Sequence, residues 1–268
     1  MSNNADVIVI TGASGGIGAA IARRLGRDGK RLVLAARRED KLRTVASDAE
    51  SLGASQVLVV PTDVTRRIDV MHLRDEAIKA FGQIDVWINN AGRGITKPVL
   101  DLTDADLDDM IAINLTSALY GMQAAIPLFI ERGKGHLINV STFLARVPLA
   151  PYRSAYSAAK AALNSLTANL RMDVHAKYPN IQVSLVMPGV VATDFADNAK
   201  TPEAIRPDRP GRTAAGAVQT ADEVAETIAE LISHPVPEIY TNPASSELAR
   251  VYYADVGGFE ERVASHRR

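Results

Sequence analysis

The 268-residue chain contains no cysteine, a single tryptophan and only 5% aromatic residues. The missing cysteines exclude disulfides and thiolate metal sites, and fit a reducing compartment. Five histidines (His72, His136, His175, His234 and His266) are scattered without the paired spacing of metal ligands, so no catalytic metal is expected. Charge of one sign is also missing. A formal net charge of −1 gives no bulk attraction to nucleic acid or to a membrane surface. The opening "MSNNAD" runs straight into "VIVI" without a signal-like pattern, and no apolar run is read as long enough to span a bilayer. A cytoplasmic protein is the expectation.

What is present is a rhythm. With 47% hydrophobic residues the chain can bury a substantial core. Seven short β-rich runs stand at 6–11, 31–36, 56–61, 84–89, 136–141, 182–187 and 238–241, with helix-length segments between most of them. Parallel strands joined by crossover helices produce this alternation, and strands apolar on both faces belong to a sheet covered on both sides. Capping boxes mark two helix starts, Thr103 with Asp106 and Thr220 with Glu223. The fold expected is α/β: a Rossmann-like doubly wound parallel sheet of about seven strands, one domain over residues 1–268. The one long irregular stretch, 194–219, contains Pro202, Pro207, Pro210, Gly211 and Gly216, and is read as a flexible substrate loop.

The first strand leads directly into "TGASGGIG" (11–18) and then a helix. Glycines permit a tight turn and a close backbone approach to a pyrophosphate, while a helix N-terminus offers free N–H groups to an anion. The turn residues Gly12, Ser14, Gly15, Gly16, Ile17 and Gly18 are therefore candidate cofactor-binding residues. The bland alternative is a tight strand-to-helix connection. The second strand ends in "AARRED". An NAD-preferring fold usually has an acidic residue here for the ribose 2′-hydroxyl; Arg37 and Arg38 suit a 2′-phosphate instead, so NADP(H) is expected over NAD(H). Pairing with Glu39 and Asp40 would be the structural alternative. In "SAYSAAK", Tyr156 and Lys160 lie one helical turn apart on one face, a spacing that this composition yields by chance in roughly one chain in five.

These motifs, together with "DVT" (63–65), "NNAG" (89–92), Asn114, "NVST" (139–142) and "PGVVAT" (188–193), occur in an order that resembles the short-chain dehydrogenase/reductase family. The resemblance covers about residues 6–193 and is weaker beyond. It implies an oxidoreductase interconverting a small-molecule carbonyl and a secondary alcohol by hydride transfer. Tyr156 would be the acid/base, and Lys160 the ammonium that lowers its pKa from about 10 and reaches the nicotinamide ribose. Asn114 would sit in a helix distortion that passes protons from Lys160 to solvent. Asp63 and Val64 would form the adenine pocket, and Asn90, Ala91 and Gly92 would lie along the cofactor, with Asn90 also supporting the sheet. Pro188, Gly189, Val191 and Thr193 would hold the carboxamide.

The hydroxyl that polarises the substrate oxygen falls on Ser141 or Thr142. Motif alignment favours Thr142; serine chemistry and the stiffness of a β-branched side chain favour Ser141, to which the reading leans. The gaps to Tyr156, 15 and 14 residues, both exceed the family's usual spacing. Candidate substrate walls are Arg93, Ile95, Phe143, Leu144, Leu149, Tyr152, Met187 and Phe195, mostly apolar, while Arg93 and Arg153 offer anion binding. The small residues of helix 155–176 and the apolar segment 104–130 lead, by family likeness, to a homodimer or homotetramer. The alternative function is a non-catalytic NADP(H)-sensing protein on the same scaffold, which should have lost a catalytic residue.

Overall fold

The computed structural model describes residues 5–150, 152–193, 195, 212–213 and 216–265. Seven strands, β1 (Val7–Thr11), β2 (Arg31–Ala36), β3 (Gln56–Pro61), β4 (Val86–Asn89), β5 (Gly135–Val140), β6 (Ile181–Met187) and β7 (Glu238–Tyr240), form one sheet in the order β7-β6-β5-β4-β1-β2-β3. Every pairing in it is parallel. This is the doubly wound arrangement the sequence predicts, and the order reverses between β1 and β4, where such sheets open a crevice at their carboxyl ends.

Alternation along the strands divides the core. Ile8, Ile10, Leu32 and Leu34 face helices α1 (Gly16–Arg27), α2 (Glu39–Ser51) and α7 (Ala221–Ser233). Val7, Val9, Val33 and Leu137 face α3 (Arg67–Phe81), α5 (Ser117–Arg132) and α6 (Ser154–His175). Both capping boxes form as expected, Thr103 opening α4 (Asp104–Ile111) and Thr220 opening α7. Two C-terminal helices, α8 (Pro243–Ala254) and α9 (Val256–Ser265), enclose a satellite core of Phe143, Val147, Ala249 and Phe259.

One expectation is corrected. Helix α4, a π-helical turn at Ala112–Thr116 and α5 run on as a single rod, 104–132, long and apolar enough by length and composition to cross a bilayer. Half of its apolar window is buried inside the fold, the condition of a core helix packed on a sheet. The apolar segment 104–130 is visible in the sequence; what the sequence reading lacks is that one helix runs unbroken through the π turn and so reaches bilayer-spanning length.

The 194–219 segment lies largely outside the described residues. Of its ends, Phe195 is placed beside Tyr156, and Gln219–Thr220 pairs in parallel with Val191–Ala192.

Candidate active site

The sequence motifs converge at the carboxyl ends of β1, β2, β3, β4, β5 and β6. At Gly12 the backbone takes φ +69°, and a Cβ there would lie 2.8 Å from Ala91 Cα, so glycine is required both for the turn and for the approach of the β4 loop. Thr11 locks the same junction: its Oγ1 accepts from Asn90 N at 3.0 Å and Ala91 N at 3.1 Å, while Asn90 Nδ2 donates to Thr11 O at 2.9 Å. The N-terminus of α1 has no side-chain cap and no acidic residue in its first turn, which leaves its amides for an anion. Thr193 faces this turn across a narrow gap, its Cγ2 3.6 Å from the place a Gly16 Cβ would occupy. The turn, the "NNAG" loop and Thr193, just past the short strand Val191–Ala192, therefore come together.

Arg37 and Arg38 stand at the end of β2. Glu39 pairs with Arg43 rather than with either of them, and Arg38 Nη2 donates to Ser14 Oγ at 3.3 Å. Burial works to raise the Asp63 pKa, yet hydrogen bonds from Thr65 and the charges of Arg37 and Arg66 hold it below the usual carboxylate range. Arg37 and Asp63 thus share one neighbourhood, with Arg38 over the glycine turn. Val64 is buried behind them.

The reactive end is built on α6. Tyr156 and Lys160 share its buried face with Ala155, Ala159, Leu163, Asn164 and Thr167. Burial pushes the Tyr156 phenol up to about 12, against a hydrogen bond with the Thr142 side chain and the nearby charge of Arg153. Lys160 is only 4% exposed and burial lowers it to about 8; its Nζ donates to Val140 O at 2.8 Å. Lys160 is not among the groups that shift the Tyr156 pKa, contrary to the expectation that it depresses it. Lys160 is engaged by a strand carbonyl, and the cation acting on the phenol is Arg153.

Asn114 lies in the π turn, 1% exposed, where the helix distortion was expected. Its Nδ2 donates to Arg93 O at 2.9 Å and to Met110 O at 3.1 Å, and its Oδ1 accepts from Arg93 N at 3.2 Å. The widened turn thereby holds the "NNAG" loop, and a Cβ at Gly92 would touch both Asn114 and Lys160.

The two candidate hydroxyls, Ser141 and Thr142, have different surroundings. Ser141 Oγ donates to Asn164 Oδ1 at 2.5 Å and so points into the α6 packing, whereas the Thr142 hydroxyl meets the Tyr156 phenol. Both residues follow directly on the end of β5 at Val140, and successive residues of extended backbone face opposite ways. The wall candidates also divide. Ile95 and Phe195 pack around Tyr156; Phe143 and Leu149 belong to the satellite core; Met187 is buried in β6. Arg93 forms an ion pair with Asp109. Pro188 O accepts from Phe143 N at 2.8 Å, which fixes the turn that carries Gly189 and Val191.

Sequence reasoning missed a buried polar relay beneath the site. Trp87 Nε1 donates to Asn89 Oδ1 at 2.8 Å, Asn89 Nδ2 to Asn139 Oδ1 at 2.9 Å, Asn139 Nδ2 to Thr167 Oγ1 at 2.9 Å, and Thr167 Oγ1 to Leu163 O at 2.6 Å. It ties β4 and β5 to α6, fixing Thr142 relative to Tyr156. The signal was available: an asparagine ends each of the apolar runs "VWIN" and "HLIN".

This glycine turn and buried tyrosine define a dinucleotide-fold oxidoreductase site, and comparison with known proteins names the class. The short chain dehydrogenase family model matches residues 6–204, and the chain belongs to that family. It is similar to an uncharacterized oxidoreductase of Staphylococcus aureus strain N315, 38% identical over 187 residues, which are 70% of this chain and 78% of that one. Among solved structures, a short chain dehydrogenase/reductase from Burkholderia phymatum in complex with NAD superposes with a TM-score of 0.82 at 28% identity, over 94% of both chains. An alcohol dehydrogenase from Thermococcus sibiricus complexed with 5-hydroxy-NADP does so with a TM-score of 0.75 at 29% identity, over 88% of this chain and 95% of that one.

Proposed function

We propose that this oxidoreductase interconverts a carbonyl compound and its secondary alcohol, using NADP(H) in preference to NAD(H), with Tyr156 as the acid/base. The observation that carries the reading is the buried phenol of Tyr156, which shares the inward face of α6 with Lys160 and feels the Thr142 side chain and the Arg153 charge. The site suits a dinucleotide: α1 amides for the pyrophosphate, Gly12 allowing the close backbone, Arg37 and Arg38 for a 2′-phosphate, and the Thr193 turn opposite. When bound, the nicotinamide supplies or accepts the hydride at its C4.

The chain's own residues do the rest. In reduction, Tyr156 gives its phenolic proton to the substrate oxygen as the hydride reaches the carbonyl carbon; in oxidation the phenolate takes that proton back. Thr142 donates to the same oxygen and stabilises the charge that develops there. Lys160 holds the Tyr156 side of the site, and Asn114 fixes the loop that borders the cofactor. Tyr156, Lys160 and Asn114, which a sensing protein would be free to lose, are all retained, which favours catalysis. The reading is tested by a panel of ketones and aldehydes, followed by nicotinamide absorbance. No turnover with any carbonyl, in enzyme that binds cofactor, would overturn it.

The cofactor preference has its own test. Replacing Arg37 and Arg38 together with alanine is expected to weaken NADPH binding roughly tenfold to a hundredfold and NADH binding little, as for charged hydrogen bonds in a partly exposed site. Fluorescence titration with both cofactors reads this directly; equal losses refute it.

We also infer a homodimer or homotetramer. Leu107, Ile111 and Met172 are exposed apolar residues on α4 and α6, in the segments whose small and apolar faces suit a twofold contact. A monomeric mass by light scattering at micromolar concentration would rule it out.

A further inference from the structure

Arg93, Lys97 and Arg153 lie in the segments that flank Tyr156, and the first two have ion-pair partners. Arg93 pairs with Asp109, and Lys97 Nζ pairs with Asp106 at 2.6 Å. Arg153 differs. Its Nη1 is buried with no hydrogen-bond partner, as is Arg93 Nε, but unlike Arg93 it forms no ion pair among the described residues, so none of its charge is met. A buried guanidinium N–H without an acceptor is costly, because its hydration is lost and not replaced. A site that keeps such a group has an acceptor that arrives from elsewhere.

The position is held firmly. Tyr152, immediately before it, is the one non-glycine with positive φ (64°) among the described residues, a left-handed conformation that a bulky side chain adopts only under constraint. The constraint is visible: Lys97 N donates to Tyr152 O at 2.7 Å, Lys97 and Arg153 form an isolated parallel bridge, and Ser154 Oγ reaches Lys97 O at 3.4 Å. The turn so fixed aims the guanidinium inward. A Cβ on Gly94 would lie 2.5 Å from Arg153 Nη1 and 3.0 Å from Phe195 Cε1, so Nη1 occupies the space that only glycine leaves open. The Phe195 ring in turn lies 5.4 Å from the Tyr156 ring. Arg153 is near enough to the phenol for its charge to act on it. The pocket therefore has an apolar ring on one side and an unpaired cation on another, both beside the proton donor.

We propose that Arg153 is the anion subsite of the substrate pocket, and that the preferred substrates are oxo acids and their hydroxy-acid counterparts, the carboxylate on Arg153 while the carbonyl meets Tyr156. The assignment rests on the oxidoreductase reading above and adds the substrate class. A carboxylate is the matching ligand because the fork of a guanidinium accepts it with two parallel hydrogen bonds.

The test compares 2-, 3- and 4-oxohexanoate with their methyl esters at saturating NADPH, in the full-length protein. At least one acid is expected to exceed its ester in kcat/KM by tenfold or more. Arg153→Gln should lower that acid-to-ester ratio by about 10- to 100-fold, chiefly through the KM of the acid. Arg153→Lys, which keeps the charge but not the fork, should restore part of it, and this rescue separates recognition from a merely structural role. Equal use of acids and esters by the wild type, or equal loss for both in Arg153→Gln, would overturn the proposal. Calorimetric titration of the NADP⁺-loaded protein with hexanoate and hexanamide judges the subsite without turnover. Hexanoate binding to the wild type but not to Arg153→Gln supports the subsite even if no carbonyl is reduced, and its absence in the wild type removes it. Failure of every carbonyl to react counts instead against the oxidoreductase reading.

Discussion

Tyr156→Phe is expected to lower kcat for carbonyl reduction by about 10²- to 10⁴-fold, the range for loss of a positioned general acid, while leaving cofactor affinity close to wild type. The substitution keeps the ring, and with it the contact to Phe195 and the packing against Ile95, Met110 and Ala155. What it removes is one hydroxyl and its interaction with the Thr142 side chain. The pH dependence identifies the group. Burial pushes the phenol up to about 12, so the neutral, proton-donating form dominates through the whole neutral range. Reduction needs that form and should vary little between about pH 7 and 9. Oxidation needs the phenolate, whose fraction below the pKa rises about tenfold for each pH unit, so the oxidative rate should climb over the same range. Cofactor binding that turns Lys160 from Val140 O toward the phenol would lower the pKa and move the plateau of that climb to lower pH without changing its sign. Stopped-flow rates in both directions, on wild type and Tyr156→Phe, check all of this. Near-wild-type turnover in the variant, or an oxidation rate that falls with pH, would show that another group moves the proton.

The strands and their parallel, doubly wound arrangement were legible because an apolar run of five or six residues between turn signals has few other fates in an α/β chain. Ile8 and Ile10 on one face and Val7 and Val9 on the other need no tertiary information to predict. The glycine turn was legible for a similar reason, since Gly12 answers a backbone demand that no other residue meets. The long rod at 104–132 was read as helical and apolar but not as bilayer-length, because Asp104, Asp106, Asp108 and Asp109 crowd its start and its apolar stretch begins only behind them. The electrostatics of the site were not legible. Spacing places Tyr156 and Lys160 on one helix face, but which cation acts on the phenol depends on rotamers: Lys160 is drawn to a carbonyl of β5, while Arg153, three residues before the tyrosine, is swung toward it by the left-handed turn at Tyr152. A local pattern records that these side chains are neighbours and leaves their partners to the tertiary fold.

Thr142→Val is expected to cost on the order of 10² in kcat, and Ser141→Ala only a few-fold, because only one of the two hydroxyls faces the reacting atoms. The Ser141 hydroxyl has a single proton and two acceptors in reach, Asn164 Oδ1 at 2.5 Å and Lys160 O at 3.4 Å; the shorter bond takes it. That bond matters for stability. Asn164 is buried, and its Nδ2 already lacks a partner, so Ser141→Ala leaves a second polar atom of the same amide unsatisfied. The cost should be about 1–3 kcal/mol, seen as a Tm lower by several degrees with kcat nearly intact. Thr142 has the opposite profile. It lines the phenol, and its hydroxyl also accepts from Leu144 N at 3.3 Å, capping the short helical turn at Phe143–Ala145. Valine keeps the shape of threonine but loses both functions, so a control must separate them. Thr142→Ser supplies it, retaining the hydroxyl for the cap and for the substrate oxygen, and should recover most of the activity. Steady-state kinetics and thermal melts on the three variants resolve the two roles. A Thr142→Val enzyme with wild-type kcat, together with a Ser141→Ala enzyme that has lost it, would return the polarising role to Ser141 and require the end of β5 to rotate when substrate binds.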